Sequence, residues 1–162
     1  MARTFKSNLK DTFEKSLVNE LSDYGEKIIN EAYNTRTFQN RTFNLHDSYG
    51  SAVYKDGVYV NGTLRTLEPQ ATRPKKVDGQ MVKGKNVVSR YLRDYRPKQK
   101  GLTLVVVAAM PYGDILEAGQ SPLTQKYRVI SGARWMMRSL AYSLSAKFGI
   151  KKHGMSINSI DL

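Results

Sequence analysis

Apolar residues recur every three or four positions from Ser7 to about Arg36, where Leu9, Phe13, Leu17, Leu21, Tyr24, Ile28 and Ala32 draw a single stripe. That period predicts a helix with one face to bury. Ser7 is the expected N-cap, and Asp11 and Glu14 follow where the helix dipole favours acids. Glu14, Lys15, Glu20, Glu26 and Lys27 occupy the other side. At ~1.5 Å per residue such a helix spans roughly 40–45 Å, with Gly25 the expected point of a bend. One small sheet cannot cover so long a stripe, and the excess points to a neighbouring molecule.

The pattern then changes. Arg36-Thr-Phe-Gln-Asn and Arg41-Thr-Phe-Asn-Leu form a tandem near-repeat, too short for a solenoid, which reads as a loop anchored by Phe38 and Phe43. Two strand-like runs, Leu45 to Lys55 and Val58 to Leu64, flank Asp56-Gly57, the dipeptide favoured in two-residue hairpin turns. Residues 65–100, broken by Pro69, Pro74, Gly79, Gly84 and Pro97, read as a long insertion outside the core. Only 87–92 within it is apolar enough for a short helix or an edge strand. On this reading, deleting 73–86 leaves the fold intact. Leu102 to Met110 is apolar at successive positions, so a strand covered on both faces is expected, central in the sheet. Pro111 stops it; Tyr112, Leu116 and Glu117 follow at helical spacing, and Gly119 closes the corner. After an irregular stretch from 121 to 130, Ser131 is expected to cap a last helix. That helix runs to about Phe148, with Met137, Leu140, Ala141, Leu144 and Phe148 inward, Arg134 and Arg138 outward, and Gly149 as its stop. Residues 150–162 read as a polar tail.

The expected fold is a single α+β domain over 1–162. A long N-terminal helix and a C-terminal helix pack on a small, mostly antiparallel sheet, with a long basic loop inserted at 65–100.

Charge sharpens this picture. The 162-residue chain carries a net charge of +12, unevenly spread. Residues 65–100 hold 11 Lys and Arg against three acids, and 120–153 hold seven against none, whereas the first 64 residues balance eight with eight. Two concentrated basic regions suggest a polyanion or an acidic protein surface nearby. There is no Cys, which rules out disulfides and thiolate metal sites and suits a reducing compartment. No apolar run approaches the ~20 residues of a spanning helix. Residues 1–8 lack the apolar stretch of a secretory signal. Synthesis in the cytoplasm and no membrane contact are expected.

Candidate chemistry is thin. Gly79 to Asn86 approximates a phosphate-binding loop, but Asn86 stands where a metal-binding hydroxyl belongs and no buried strand precedes it. His46, Asp47 and Ser48 carry the letters of a hydrolase triad consecutively; on a strand, neighbours point to opposite faces and cannot form the relay. With only His46 and His153 and no Cys, no His-based metal site can be assembled from recognisable ligands. No carboxylate pair stands out for glycoside chemistry. Glu117 is a lone carboxylate, better suited to pinning the register between subunits than to catalysis. Tyr91 and Tyr95, near Lys98 and Lys100, mix rings with cations as base-stacking surfaces do, and as ordinary interfaces do. Neither an enzyme nor a cofactor is expected.

Two short motifs carry a resemblance. Thr42-Phe43-Asn44-Leu45-His46-Asp47-Ser48 follows the pattern T-x-N-L-x-x-S, and Pro111 to Gly119 follows P-Y-x-x-x-L-E-x-G. With the order of elements over 7–64 and 101–148, they resemble the tail-completion and head–tail connector (neck) proteins of tailed bacteriophages. This is the small α+β family related to the lambda minor tail protein Z. Departures are Phe43 in place of the usual Gly, the length of the basic insertion, and a missing Pro-Phe step before the last helix. The resemblance implies a non-enzymatic virion protein, assembled in the host cytoplasm as a ring of six or twelve copies. Portal, connector or tail proteins would adjoin it, and DNA would pass through its lumen. Phe13, Leu17, Leu21, Tyr112 and Glu117 would then lie between subunits, and Lys75, Lys76, Lys83, Lys85, Arg93, Arg96, Lys98 and Lys100 would face DNA. The alternative is a cytoplasmic, sequence-nonspecific nucleic-acid-binding protein; a hydrolase or nuclease is the third class.

Overall fold

The computed structural model describes residues 2–39, 43–64, 73–77, 79–119 and 127–133, and then 135, 136, 139, 140, 143, 144 and 147. It is an α+β fold. Helix α1 runs Ala2–Asn34, strands β1 and β2 span Tyr49–Lys55 and Val58–Leu64, and β3 and β4 span Lys75–Val77 and Gln80–Val82. Helix α2 spans Gly84–Asp94, strand β5 Leu102–Ala108 and helix α3 Tyr112–Ala118, with 3-10 turns at His46–Ser48 and Ser131–Ala133. The main sheet is antiparallel in the order β2-β1-β5, and β3–β4 is a separate hairpin.

Helix α1 starts five residues before the expected cap, so Ser7 lies inside it, and 33 residues make a rod of about 50 Å. Gly25 lies where the helix meets the sheet. A Cβ there would meet Ser51 Oγ at 2.5 Å and Leu104 Cδ1 at 3.1 Å, so the missing side chain lets the helix cross the sheet closely. From Leu21 onward the stripe is buried: Leu21, Ile28, Ile29 and Ala32 join the core. The N-terminal half extends past the sheet.

The hairpin forms as expected. Asp56 and Gly57 hold φ 49° and 82°, the left-handed pair of a tight primed turn, and Asp56 Oδ1 accepts the Gly101 N–H at 2.8 Å. Strand β1, however, begins at Tyr49; the preceding residues form the 3-10 turn instead.

Strand β1 is the centre of the sheet, and among the described residues β5 has a strand neighbour on one side only. This corrects the expectation that Leu102–Met110 is central. Its apolar character has another cause, since helices cover both faces. Leu104 and Val106 pack beneath α1 with Val53 and Tyr49, while Val105 and Val107 pack with Ala52 and Tyr54 beneath α2. Helix α2 is therefore core. Val88 and Leu92 are fully buried against the sheet, so residues 84–94 are not part of an external loop. Lys75–Val77 and Gln80–Val82 are not loop either but pair as the β3–β4 hairpin; 65–72 and 78 lie outside the described residues.

At the C-terminal end, 135–136, 139–140, 143–144 and 147 are helical. Leu140 and Leu144 are buried with Leu21 and Val53, as the sequence leads one to expect. Tyr24 and Ser143 share a hydrogen bond, and Lys147 pairs with Glu20, so this segment runs antiparallel to α1. Arg134, Met137, Arg138, Ala141, Phe148 and the tail 150–162 lie outside the described residues.

Candidate functional site

The two motifs meet. Ser48 Oγ donates to Leu45 O at 2.7 Å and accepts the Met110 N–H at 3.3 Å, while Ser48 O accepts the Ala109 N–H at 3.0 Å. Asn44 is buried: its Nδ2 donates to Arg73 O at 2.9 Å and its Oδ1 accepts the Gly84 N–H at 3.0 Å. It thus satisfies an orphan donor at the start of α2, where Lys83 provides no side-chain cap. Phe43, at the position that departs from the family pattern, holds φ 56°, a conformation that favours glycine.

Glu117 closes the same knot. Its Oε1 accepts the backbone N–H groups of Val129, Ile130 and Ser131, at 3.2, 3.0 and 2.5 Å. Tyr49 adds an O–H bond to Val129 O at 2.5 Å. The carboxylate thus holds the backbone that leads into the 3-10 turn Ser131–Ala133; whether Ser131 caps the helical segment turns on Arg134, which lies outside the described residues. The expected pin between subunits has its Oε1 engaged inside its own chain.

His46, Asp47 and Ser48 sit in a buried 3-10 turn rather than a strand, so the geometric reason expected to separate them does not apply. The relay is absent all the same. His46 Nδ1 lies 2.9 Å from Asp47 Oδ1, but Ser48 Oγ turns to the Leu45 carbonyl and the Met110 amide. The Gly79–Gly84 stretch is no phosphate cradle, because strand β4 fills it and the Gly84 N–H is already bound. Among the described residues, no three His, Asp or Glu converge on a metal position.

Two surfaces remain. The first comprises exposed apolar residues of the N-terminal half of α1 and of β2. Leu9 and Phe13 are 55% and 46% exposed, and Val58 and Val60 are 65% and 45% exposed. An open groove of about 290 Å³ lies between α1 and β2, lined by Asp11, Glu14, Lys15, Val18, Asn19 and Val60; at 3.6 residues per turn these α1 positions fall on the opposite side of the helix from Leu9 and Phe13. Glu14 pairs with Lys55 across its end, which raises the Lys55 pKa chiefly through that hydrogen bond. Of the expected interface residues only Phe13 is exposed, and it does not line the groove. Leu17 is half-buried, Leu21 is buried in the core, and Tyr112 packs against the core with Lys75 Nζ 5.3 Å from its ring centre.

The second surface is basic. Lys75, Lys76, Lys83, Lys85, Arg93, Arg96, Lys98 and Lys100 are all exposed, as is Arg90, which the sequence reading passed over. They fall in two groups, one on the hairpin and first turn of α2, the other around its C-terminus. Arg96 folds back on the carbonyls of Arg93 and Tyr95. Tyr91 and Tyr95 stack on each other at 5.4 Å, and Tyr95 meets Tyr54 edge-on. Their rings are largely spent within the chain. Burial, then Tyr91 and Tyr59, pushes the Tyr54 phenol up to about 12, and burial raises Tyr91 as well. Tyr54 donates to Leu92 O at 2.5 Å, which ties α2 to β1.

Compared with known proteins, the chain matches no family model, no curated protein and no solved structure.

Proposed function

We propose that this chain is a non-enzymatic structural protein of a tailed-phage particle. It assembles as a homo-oligomeric ring at the head–tail junction or tail terminus, beside portal, connector or tail proteins, with DNA passing through the lumen. The observation that carries the reading is the division of α1: its apolar stripe joins the core from Leu21 onward, whereas Leu9 and Phe13 are exposed, as are Val58 and Val60 on β2. Large apolar side chains left exposed in this way support an association site. Covering them would contribute several kcal/mol at ~25 cal/mol per Å², less the cost of ordering two chains. The meeting of the two motifs supports the family resemblance in one respect, since both act as fold-defining joints.

The exposed cations favour a second reading, a sequence-nonspecific nucleic-acid-binding protein. Light scattering after size exclusion at low and high salt separates the two. A ring that forms without DNA and survives high salt supports the structural reading, and electron microscopy would count its subunits. A monomer whose DNA affinity falls steeply with salt would overturn it in favour of the binder.

A further inference from the structure

The C-terminal helical segment has a fixed direction along α1. Tyr24 shares a hydrogen bond with Ser143 and, one turn nearer the start of α1, Glu20 pairs with Lys147. The two therefore run antiparallel, and the chain leaves Lys147 towards the N-terminal end of α1. Leu17 and Leu21 lie on the same side, packed with Leu140 and Leu144. At about 100° per residue, Phe13 projects between Glu20 and Tyr24, and Leu9 projects beside Glu20. The exposed pair thus continues the surface that the C-terminal segment already occupies, away from the groove beside β2.

Fifteen residues, 148–162, follow Lys147 and lie outside the described residues. The polar tail 150–162 nevertheless holds Ile150, Met155, Ile157, Ile160 and Leu162, and Phe148 precedes it. From Glu20 back to Leu9 is about 16 Å of helix, and fifteen residues reach about 22 Å even when wholly helical. Starting point, direction, length and apolar content all fit this one face.

We propose that residues 148–162 lie along α1 of their own chain and cover Phe13 and Leu9 before assembly. The segment then competes with a neighbouring copy for this face, a consequence that rests on the self-associating reading above; the cover itself does not. Such a contact needs little intrinsic affinity, because a short tether holds the segment at an effective concentration on the order of millimolar. A neighbouring copy displaces it only where copies are already concentrated. The tail thereby sets a threshold for assembly, and Val58 and Val60 on β2 are untouched by it.

The test uses the full chain, whose lack of Cys leaves introduced thiols without competitors. Ser156→Cys is combined with Phe13→Cys on the proposed face or with Lys15→Cys on the groove side, both exposed positions, and circular dichroism checks each fold. Treated with a short bismaleimide at low concentration, the 13–156 pair should be joined within one 18.4 kDa chain several-fold more than the 15–156 pair. Equal joining of the two pairs, or none, overturns the cover, and joining only between chains overturns it in favour of a neighbour's α1. In a second arm, Ile157→Asp with Ile160→Asp frees the face, so self-association followed by light scattering should strengthen about tenfold. Weaker association in that variant would place the tail between copies and overturn the proposal. If the 13–156 link forms but association is unchanged, the competition is wrong and the neighbour uses another surface. If wild type and variant both stay monomeric at every concentration, the self-associating reading fails, and the link alone decides the cover.

Discussion

Asn44 and Gly84 touch at backbone level: a Cβ on Gly84 would lie 1.8 Å from the Asn44 carbonyl oxygen, while Asn44 Oδ1 accepts the Gly84 N–H at 3.0 Å. The contact fixes the start of α2 against the turn before β1, and backbone oxygen cannot yield as a flexible side chain would. Gly84→Ala should therefore cost about 3 kcal/mol or more in denaturant unfolding, well above the usual single substitution. Asn44→Ala should cost about 2–4 kcal/mol, because it leaves the Gly84 N–H and Arg73 C=O without their partner. Deleting 73–86, harmless if this were an insertion, should leave no cooperative unfolding transition.

Glu117 joins two segments that are far from continuous in sequence, reaching N–H groups 12 to 14 residues ahead. A carboxylate facing three N–H groups is a charge-assisted cap. Glu117→Gln keeps the acceptor and loses the charge, so about 1 kcal/mol is expected; Glu117→Ala should cost about 2 kcal/mol. Hydrogen exchange locates the effect: protection should fall at Val129, Ile130 and Ser131 before it falls in β1. If the carboxylate instead pins subunits together, protection in an isolated chain would not change.

Much of this fold was legible in the chain because the signals are local. The stripe of α1, the Asp56-Gly57 turn and the Pro111–Gly119 corner each follow from neighbouring residues. What could not be read depends on contacts far along the chain. Val88 and Leu92 are the only large apolar residues of α2 that are fully buried, and they sit among Lys85, Arg90 and Arg93, so 87–92 reads as a short helix or an edge strand while its place in the core does not show. The double-sided apolarity of β5 is the same whether strands flank it or helices sandwich it. Of the site, the strand-like run Val58–Leu64 was visible, but the path of α1 beside it was not.

Phe43 offers a test of backbone strain. At φ 56° a residue with a Cβ costs about 1 kcal/mol or more relative to glycine. Its ring, 5.8 Å from that of His46, offsets part of this. Both Phe43→Gly and Phe43→Ala lose the ring, and only Gly relieves the strain. Phe43→Gly should thus be the more stable of the two by about 1 kcal/mol, the reverse of the order in a helix. Chemical denaturation of the two variants side by side decides it, and an Ala variant as stable as the Gly one would remove the strain argument.

Tyr54 sets the alkaline limit of the fold. Its phenol is buried beneath α2 and pushed up to about 12, mainly by burial, so the folded state holds the proton where the unfolded chain, near 10, releases it. The stability this contributes is present in full below pH 10 and is lost as pH rises towards 12. At ~1.4 kcal/mol per pKa unit the loss is roughly 2–3 kcal/mol. Stability should accordingly fall through that window, and tyrosinate absorbance should show a phenol that ionises later than the rest. In Tyr54→Phe the late phenol disappears and the alkaline fall becomes shallower, while stability at neutral pH drops by about 1 kcal/mol for the lost bond to Leu92. If the alkaline fall is unchanged in that variant, the limit belongs to another group.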